Sequence, residues 1–171
     1  FKTGTKLYVN GADKTADVSS NGNFKTIKTL TTETRQEIIV SAQTPAGNTG
    51  EKSFWVRYDK TAPAISDVII APATDTTPAP MMGKVDDGLA TITIVNIDKQ
   101  NDITTIYPGD LTADGDKFKF NVNIPLKEGS NQLKITASDK AGNQSAVTTK
   151  IISLDTGSPI VKITKPAQVE I

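Results

Sequence analysis

Neither cysteine nor histidine occurs anywhere in the 171 residues. The first absence excludes disulfides, thiol nucleophiles and thiolate-held metals. The second removes the usual general base near neutral pH and the commonest zinc ligand. Catalysis would have to rest on carboxylates, Ser, Thr, Tyr or Lys. Aromatic residues make up only 5% of the chain. An excess of one charge is also lacking, since Lys plus Arg and Asp plus Glu each number 19. Such a balance offers no overall field to recruit nucleic acid or an acidic lipid surface. No apolar run approaches the roughly 20 residues that span a bilayer, and no signal peptide is visible. The chain opens at Phe1 without a methionine, so the expectation is a fragment of something longer.

What the sequence does contain is short alternation. Ile38, Val40 and Ala42 alternate with Ile39 and Ser41, and Leu133, Ile135 and Ala137 alternate with Lys134 and Thr136. Period two in β-branched residues is the signature of a half-buried strand. Turn residues punctuate these runs at Asn21-Gly22-Asn23, Asp114-Gly115-Asp116, Glu128-Gly129-Ser130 and Ala46-Gly47-Asn48. Asn-Gly and Asp-Gly supply the positive φ that tight hairpins need. No amphipathic helix of useful length is present, so the chain reads as all-β.

One phrase is written twice: AQTPAGN at Ala42–Asn48 and ASDKAGN at Ala137–Asn143. The rest of the chain falls into the same register. KLYVNGADK (Lys6–Lys14) lies over TITIVNIDK (Thr91–Lys99), NGNF (Asn21–Phe24) over DGDKF (Asp114–Phe118), and VRYDKTAP (Val56–Pro63) over ISLDTGSP (Ile152–Pro159). Apolar parity holds through every block. Strands at this spacing predict two-sheet sandwiches. The expected organisation is a first sandwich over 1–61, incomplete at its N-terminal side, and a second over 62–157. Residues 158–171 are read as the opening strand of a third repeat or a C-terminal tail. The opening region Ala64–Ala73 of the second repeat has no counterpart in the first. The expected core is Leu7, Val9, Phe24, Ile38, Val40, Val56 and Tyr58 in the first repeat. In the second it is Ile92, Ile94, Phe118, Leu133, Ile135, Ile152 and Leu154.

These blocks resemble bacterial immunoglobulin-like tandem repeats, especially the glucodextranase-B-like type and the accessory domains of cell-envelope proteinases. The residues that carry the resemblance are NGNF, LKEGSNQLKITASDKAGN (Leu126–Asn143) and the closing YDKTAP and LDTGSP phrases. The first repeat departs from the pattern where TTETRQ (Thr31–Gln36) replaces the glycine-bearing turn. The resemblance implies tandem immunoglobulin-like β-sandwiches, the first lacking its opening strand, in a secreted or cell-surface bacterial protein. There it would serve as a stalk or spacer beside a catalytic or adhesive domain. It implies no activity, because function must be argued from a site rather than a fold.

The chemistry-bearing residues each have two readings. Asp86-Asp87-Gly88 and Asp114-Gly115-Asp116 hold the densest carboxylates, yet glycoside hydrolysis needs two carboxyls facing across about 5–10 Å in a cleft. Acids in Asp-Gly turns are solvated, so no catalytic residue is assigned and the protein is read as not an enzyme. Calcium, an oxygen-seeking ion, is the one cofactor considered, at Asp59 and Asp155 in equivalent seams and Asp139 in a nearby loop. Against it, no contiguous calcium loop is present, and an Asp at a strand end commonly accepts its own turn's N–H groups. Trp55 and Arg57 share the face opposite Phe54, Val56 and Tyr58. There they either pack against protein or contact a partner such as a polysaccharide. The Pro- and Thr-rich Ala71–Lys84 reads as an edge crossover rather than a recognition loop. The expected partners are neighbouring domains of the same polypeptide. Strand donation between copies is a further expectation, with Ile160–Ile171 entering the gap of the first repeat.

Overall fold

The computed structural model describes residues 4–162. The chain divides into two compact units, Phe1–Thr61 and Ala62–Ile171. In the N-terminal unit the strands are β1 (Lys6–Val9), β2 (Ala12–Asp13), β3 (Arg35–Gln43) and β4 (Thr49–Arg57). They form one antiparallel sheet in the order β2-β1-β3-β4. Residues 25–30 belong to no strand, and Phe24 is joined to Val18 by one isolated bridge.

The C-terminal unit contains β5 (Ile65–Ile70), β6 (Ala73–Thr74), β7 (Ala79–Val85), β8 (Thr91–Asn96), β9 (Asp102–Ile106), β10 (Thr112–Asp114), β11 (Lys117–Ile124), β12 (Gly129–Ser138) and β13 (Thr148–Leu154). They build two sheets, β10-β11-β7-β5 and β6-β13-β12-β8-β9. Alternation dictates which side chains meet between them. Met81, Val85, Phe120 and Ile124 project from the first sheet, and Ile92, Ile94, Leu133, Ile135 and Ile152 from the second. All of these are at most 1% exposed. Here the expected core is found where parity places it, with Phe118 packed against it and half-buried.

The two units share a register. Leu7 pairs with Ala42 and Val9 with Val40, just as Ile92 pairs with Ala137 and Ile94 with Ile135. The order β2-β1-β3-β4 matches β9-β8-β12-β13. What differs is the cover. In the N-terminal unit Leu7, Val9 and Ile38 are buried, but Val40, Val56 and Tyr58 are only half-buried. Phe24, expected in the core, is 42% exposed, and Phe54, placed by parity on the inner face, is 53% exposed. Parity assigns a face correctly, but a face is buried only when a second layer lies on it.

The Pro- and Thr-rich stretch corrects a second expectation. Its first part does cross between sheets: β6 pairs in parallel with β13, through Ala73 opposite Ser153 and Thr74 opposite Leu154. Its second part, however, is β7, an interior strand between β11 and β5, with Met81 1% exposed. Pro80 is tolerated because the β5 ladder ends one residue later, at Ile70 opposite Met81, so the missing N–H breaks no rung. Glycine is required further along β7. A Cβ built on Gly83 would overlap the ring of Phe120, its cross-strand partner.

Candidate functional site

The repeated AGN phrase is a turn between the last two strands of each unit. Gly47 (φ +85°) and Gly142 (φ +91°) take the left-handed conformation it requires. The Gly47 N–H donates to the Thr44 carbonyl at 2.9 Å, and the Gly142 N–H to the Asp139 carbonyl at 3.3 Å. Asp139 then closes its turn with both carboxylate oxygens. Oδ1 accepts the Asn143 N–H at 2.9 Å and Oδ2 accepts the Asn143 side-chain amide at 2.8 Å. The Asn143 side-chain bond above all, with backbone N–H bonds from Asn143, Ala141 and Gly142, holds this carboxyl below the usual aspartate range against the opposing effect of desolvation.

Asp59 and Asp155 also serve turns. Asp59 Oδ1 accepts the Thr61 N–H at 3.1 Å and Asp155 Oδ1 accepts the Gly157 N–H at 2.9 Å. Asp59 also lies 3.7 Å from the Arg57 guanidinium. A second carboxylate, absent from the sequence reading, joins each turn. Glu33 accepts the Lys60 N–H at 2.8 Å and the Thr61 hydroxyl at 3.1 Å. Glu128 accepts the Thr156 N–H at 3.2 Å and the Thr156 hydroxyl at 2.9 Å. These clasps fasten the segment leaving β4 or β13 to the loop before β3 or β12. Their sequence signal was the matched spacing of Glu33 with Thr61 and Glu128 with Thr156. Among the described residues no three His, Cys, Asp or Glu side chains gather in a group able to hold a metal. Asp59 and Asp155 each turn one carboxylate oxygen to the backbone of their own exit turn.

The dense acidic turns are structural in the same sense. Asp86 accepts the Ala64 N–H at 2.7 Å and Asp87 the Leu89 N–H at 2.8 Å. Asp114 sits between Lys84 at 2.9 Å and Lys119 at 3.0 Å. Hydrogen bonds from those two lysines, Lys84 first, keep its carboxyl below its ordinary range. A general acid needs the opposite shift.

Trp55 lies on the outer face of β3 and β4, 51% exposed. Arg35 stacks over its ring at 4.5 Å from the centroid, a cation–π contact. The register explains the pairing. Glu37 is directly opposite Trp55 and Arg35 opposite Arg57, so Arg35 is the diagonal neighbour of Trp55. Arg57 is on the same face but turns to Asp59. The corresponding residue of the C-terminal unit, Ile151, is 62% exposed. The described tail residues Ile160 and Val161 are 94% and 88% exposed and lie in no strand. The remainder of the expected donor strand, residues 163–171, is outside the described residues.

A buried polar pair also escaped the sequence reading. Asn131, fully buried, accepts from the Asn96 side chain at 2.9 Å and from the Lys127 N–H at 2.9 Å, and donates to the carbonyls of Lys127 and Gly129. It fixes the turn that enters β12.

No curated protein matches the chain. Among solved structures it is similar to the fibronectin(III)-like modules of Clostridium thermocellum CbhA, at 10% identity over 88% of this chain and 76% of that one, with a TM-score of 0.46. It is also similar to the chitinase ChiW of Paenibacillus sp. str. FPU-7, described as a cell-surface-expressed multi-modular enzyme machinery. That match has 15% identity and a TM-score of 0.35, and covers 56% of this chain but 9% of that one. A third likeness is to SGBP-B of the Bacteroides ovatus mixed-linkage glucan utilization locus, solved with a mixed-linkage heptasaccharide. Its identity is 13% and its TM-score 0.28, over 87% of this chain and 36% of that one. The family model of the bacterial Ig-like domain matches residues 66–156, from within β5 to just past β13. That is more than half of the sequence and takes in both sheets of the C-terminal unit, so the chain belongs to the bacterial Ig-like domain family.

Proposed function

We propose that this chain is a non-catalytic spacer from a secreted or cell-surface bacterial protein, with its N-terminal unit a second copy of the same module. The observation that carries this reading is the clasp repeated at the two exits. Glu33 with Asp59, and Glu128 with Asp155, hold the outgoing backbone to its own unit through the same set of bonds. Two carboxylates at each exit, each accepting a backbone N–H of the outgoing segment, fix its direction. A spacer needs its exits fixed in this way. No helix of the described residues is long and apolar enough to cross a membrane. The test is backbone ¹⁵N relaxation. Residues 59–61 and 155–157 should be as ordered as the neighbouring strands, and Glu33→Ala and Glu128→Ala should each loosen only their own exit. Exits that are already mobile on the nanosecond timescale in the unaltered protein would end the reading.

A second reading, contact with a polysaccharide, is favoured by one observation, the half-exposed Trp55 flanked by Arg35 and Arg57. The Arg35 guanidinium occupies one face of the indole, so a sugar ring would have to displace it or use the other face. Titration of the single tryptophan's fluorescence with β-glucan, chitin and cell-wall oligosaccharides decides the matter. A saturable change lost in Trp55→Ala supports binding, and a flat response rejects it.

A further inference from the structure

The sheet edges of the described residues are blunted in different ways, with one exception. In the C-terminal unit β5 is broken by a register shift between Ser66 and Ile69, with Asp67 at φ +52° inside it. β10 is three residues long and ends on Asp114, and β6 has two residues paired in parallel. In the N-terminal unit β2 has two residues, and β4 carries Glu51, Lys52 and Arg57. Shortness, bulges and charge are the means by which an edge avoids another strand. β9 has none of them beyond Asp102 at its start. It pairs with β8 without a shift, and residues 103–109 contain no charged side chain. Its second side pairs with no described strand.

Hydrogen-bond parity decides which backbone groups that side offers. The Ile97 N–H donates to the Gln132 carbonyl at 2.9 Å, while Asn96 is opposite Leu133. Residues 95 and 97 therefore turn their backbone groups to β12, and Ile92, Ile94 and Asn96 turn theirs to β9. Thr104 and Ile106, opposite Ile94 and Ile92, turn theirs back to β8. The N–H and C=O of Ile103 and Thr105 consequently face the open side. Asp110 closes the ladder at the next outward position, where its Oδ2 accepts the Tyr107 N–H at 3.0 Å. Side chains alternate with the same period. Ile106 is buried inward, whereas Ile103 and Tyr107 stand on the outer face, 61% and 62% exposed, with half-buried Thr105 midway between them.

From this we infer that β9 is a self-association edge, pairing antiparallel with β9 of a second copy about a two-fold axis at Thr105. The outward side chains read apolar, threonine, apolar, a pattern that is the same in either direction. With Thr105 opposite its own image, Ile103 of each copy is opposite Tyr107 of the other. Each exposed apolar side chain thus gains the other as its cross-strand neighbour, and the contact is isologous. Ile103 then lies between Val95 of its own β8 and that tyrosine. The two Thr105 residues exchange a pair of backbone bonds, and one continuous sheet crosses both copies. An axis at Ile103 instead would strand Tyr107 beyond the end of the other copy's β9, which sets the register. No like charges meet along this line, because residues 103–109 carry none. One strand pair is a small interface beside the roughly 1,200–2,000 Å² of stable complexes, so the dissociation constant is about 0.1–1 mM. Association of that strength takes effect where copies are held close together.

The test is sedimentation equilibrium of the full chain from about 20 µM to 1 mM, where a monomer–dimer equilibrium should appear. Thr105→Lys and Thr105→Glu each set like charges face to face on the axis and should each weaken association by about tenfold or more. An equimolar mixture of those two variants should associate at least as well as the unaltered chain. Thr136→Lys adds the same charge to the same outer face, but on the interior strand β12, and should leave the equilibrium unchanged. Backbone ¹⁵N spectra establish that each variant is folded. Three results overturn the inference: an unaltered chain still monomeric at about 1 mM, association untouched by both charged variants at Thr105, or a mixture of the two folded variants that stays monomeric. The relaxation test of the exits is read on the monomer at other residues, so the spacer reading and this one fail separately.

Discussion

Gly83 and Phe120 face each other across β7 and β11, and their contact makes a substitution that adds one methyl group costly. Gly83→Ala should destabilise the C-terminal unit by about 1–3 kcal/mol through overpacking. Gly109→Ala, where an added Cβ has nothing within 4 Å, should be nearly neutral; urea denaturation of both variants makes the comparison. Deleting core volume acts more strongly. Ile135→Ala, at a fully buried position, should cost about 2–5 kcal/mol, and Val40→Ala, at the half-buried equivalent, should cost clearly less. Asp139 adds a pH dependence whose sign follows from its lowered pKa. Its stabilisation is fully present above the ordinary aspartate value and is lost as pH falls through the folded-state value. The unaltered protein should therefore melt higher than Asp139→Asn near neutrality, and the gap should close on acidification. A gap constant from pH 7 to 2 would show that the carboxylate does not cap the turn.

At the scale of elements, most strands were legible because their alternation, turn glycines and β-branched residues agree. Lys6–Val9 and Thr91–Asn96 lie where period two placed them, and β12 carries the alternation of Leu133 to Ala137 but begins at Gly129, inside the expected Glu128-Gly129-Ser130 turn. The interior strand β7 was hidden because its prolines and methionines imitate a loop. Only the end of the β5 ladder makes Pro80 acceptable there. The exposure of Phe24 and Phe54 was hidden for another reason: parity names a face but not the layer that covers it. Of the candidate site residues, the turn roles of Asp59, Asp139 and Asp155 were readable from Asx-turn chemistry. Arg35 over Trp55 was not, since it depends on a diagonal across a register that one strand alone does not reveal. The Asn131 network was equally invisible, and it matters. Asn131→Ala should leave buried groups unpaired at about 1–3 kcal/mol each. Gln36→Ala, at the matching half-buried position of β3, where the side chain bonds Thr32, should cost less by the same assay.

For the whole molecule, one sheet with an open face and a two-sheet sandwich should not melt together. Trp55 is the only tryptophan and belongs to the N-terminal unit, so its fluorescence follows that unit alone. Its transition should precede the main calorimetric transition, which reports the larger core. Coincident transitions would refute independent units. Neither transition is expected to move on adding millimolar calcium or a chelator, because the seam aspartates are bonded to their own turns. A chelator-sensitive melt abolished by Asp59→Ala would overturn that assignment.

The short parallel pairing of β6 with β13 has a mechanical meaning. It joins the early part of the C-terminal unit to its last strand, and the backbone bonds flanking its ladder, Ser153 N–H to the Pro72 carbonyl and Asp155 N–H to the Thr74 carbonyl, are each 3.0 Å long. In a parallel pair, the upstream end of one strand and the downstream end of the other lie at opposite ends of the ladder. Tension along the polypeptide therefore loads both bonds in shear at once instead of peeling them apart in turn. Pulled by its ends in a force spectrometer, the unit should resist until this rung pair gives way. Thr74→Pro, which distorts the rung while leaving the inner core in place, should lower the rupture force more than it lowers the melting temperature.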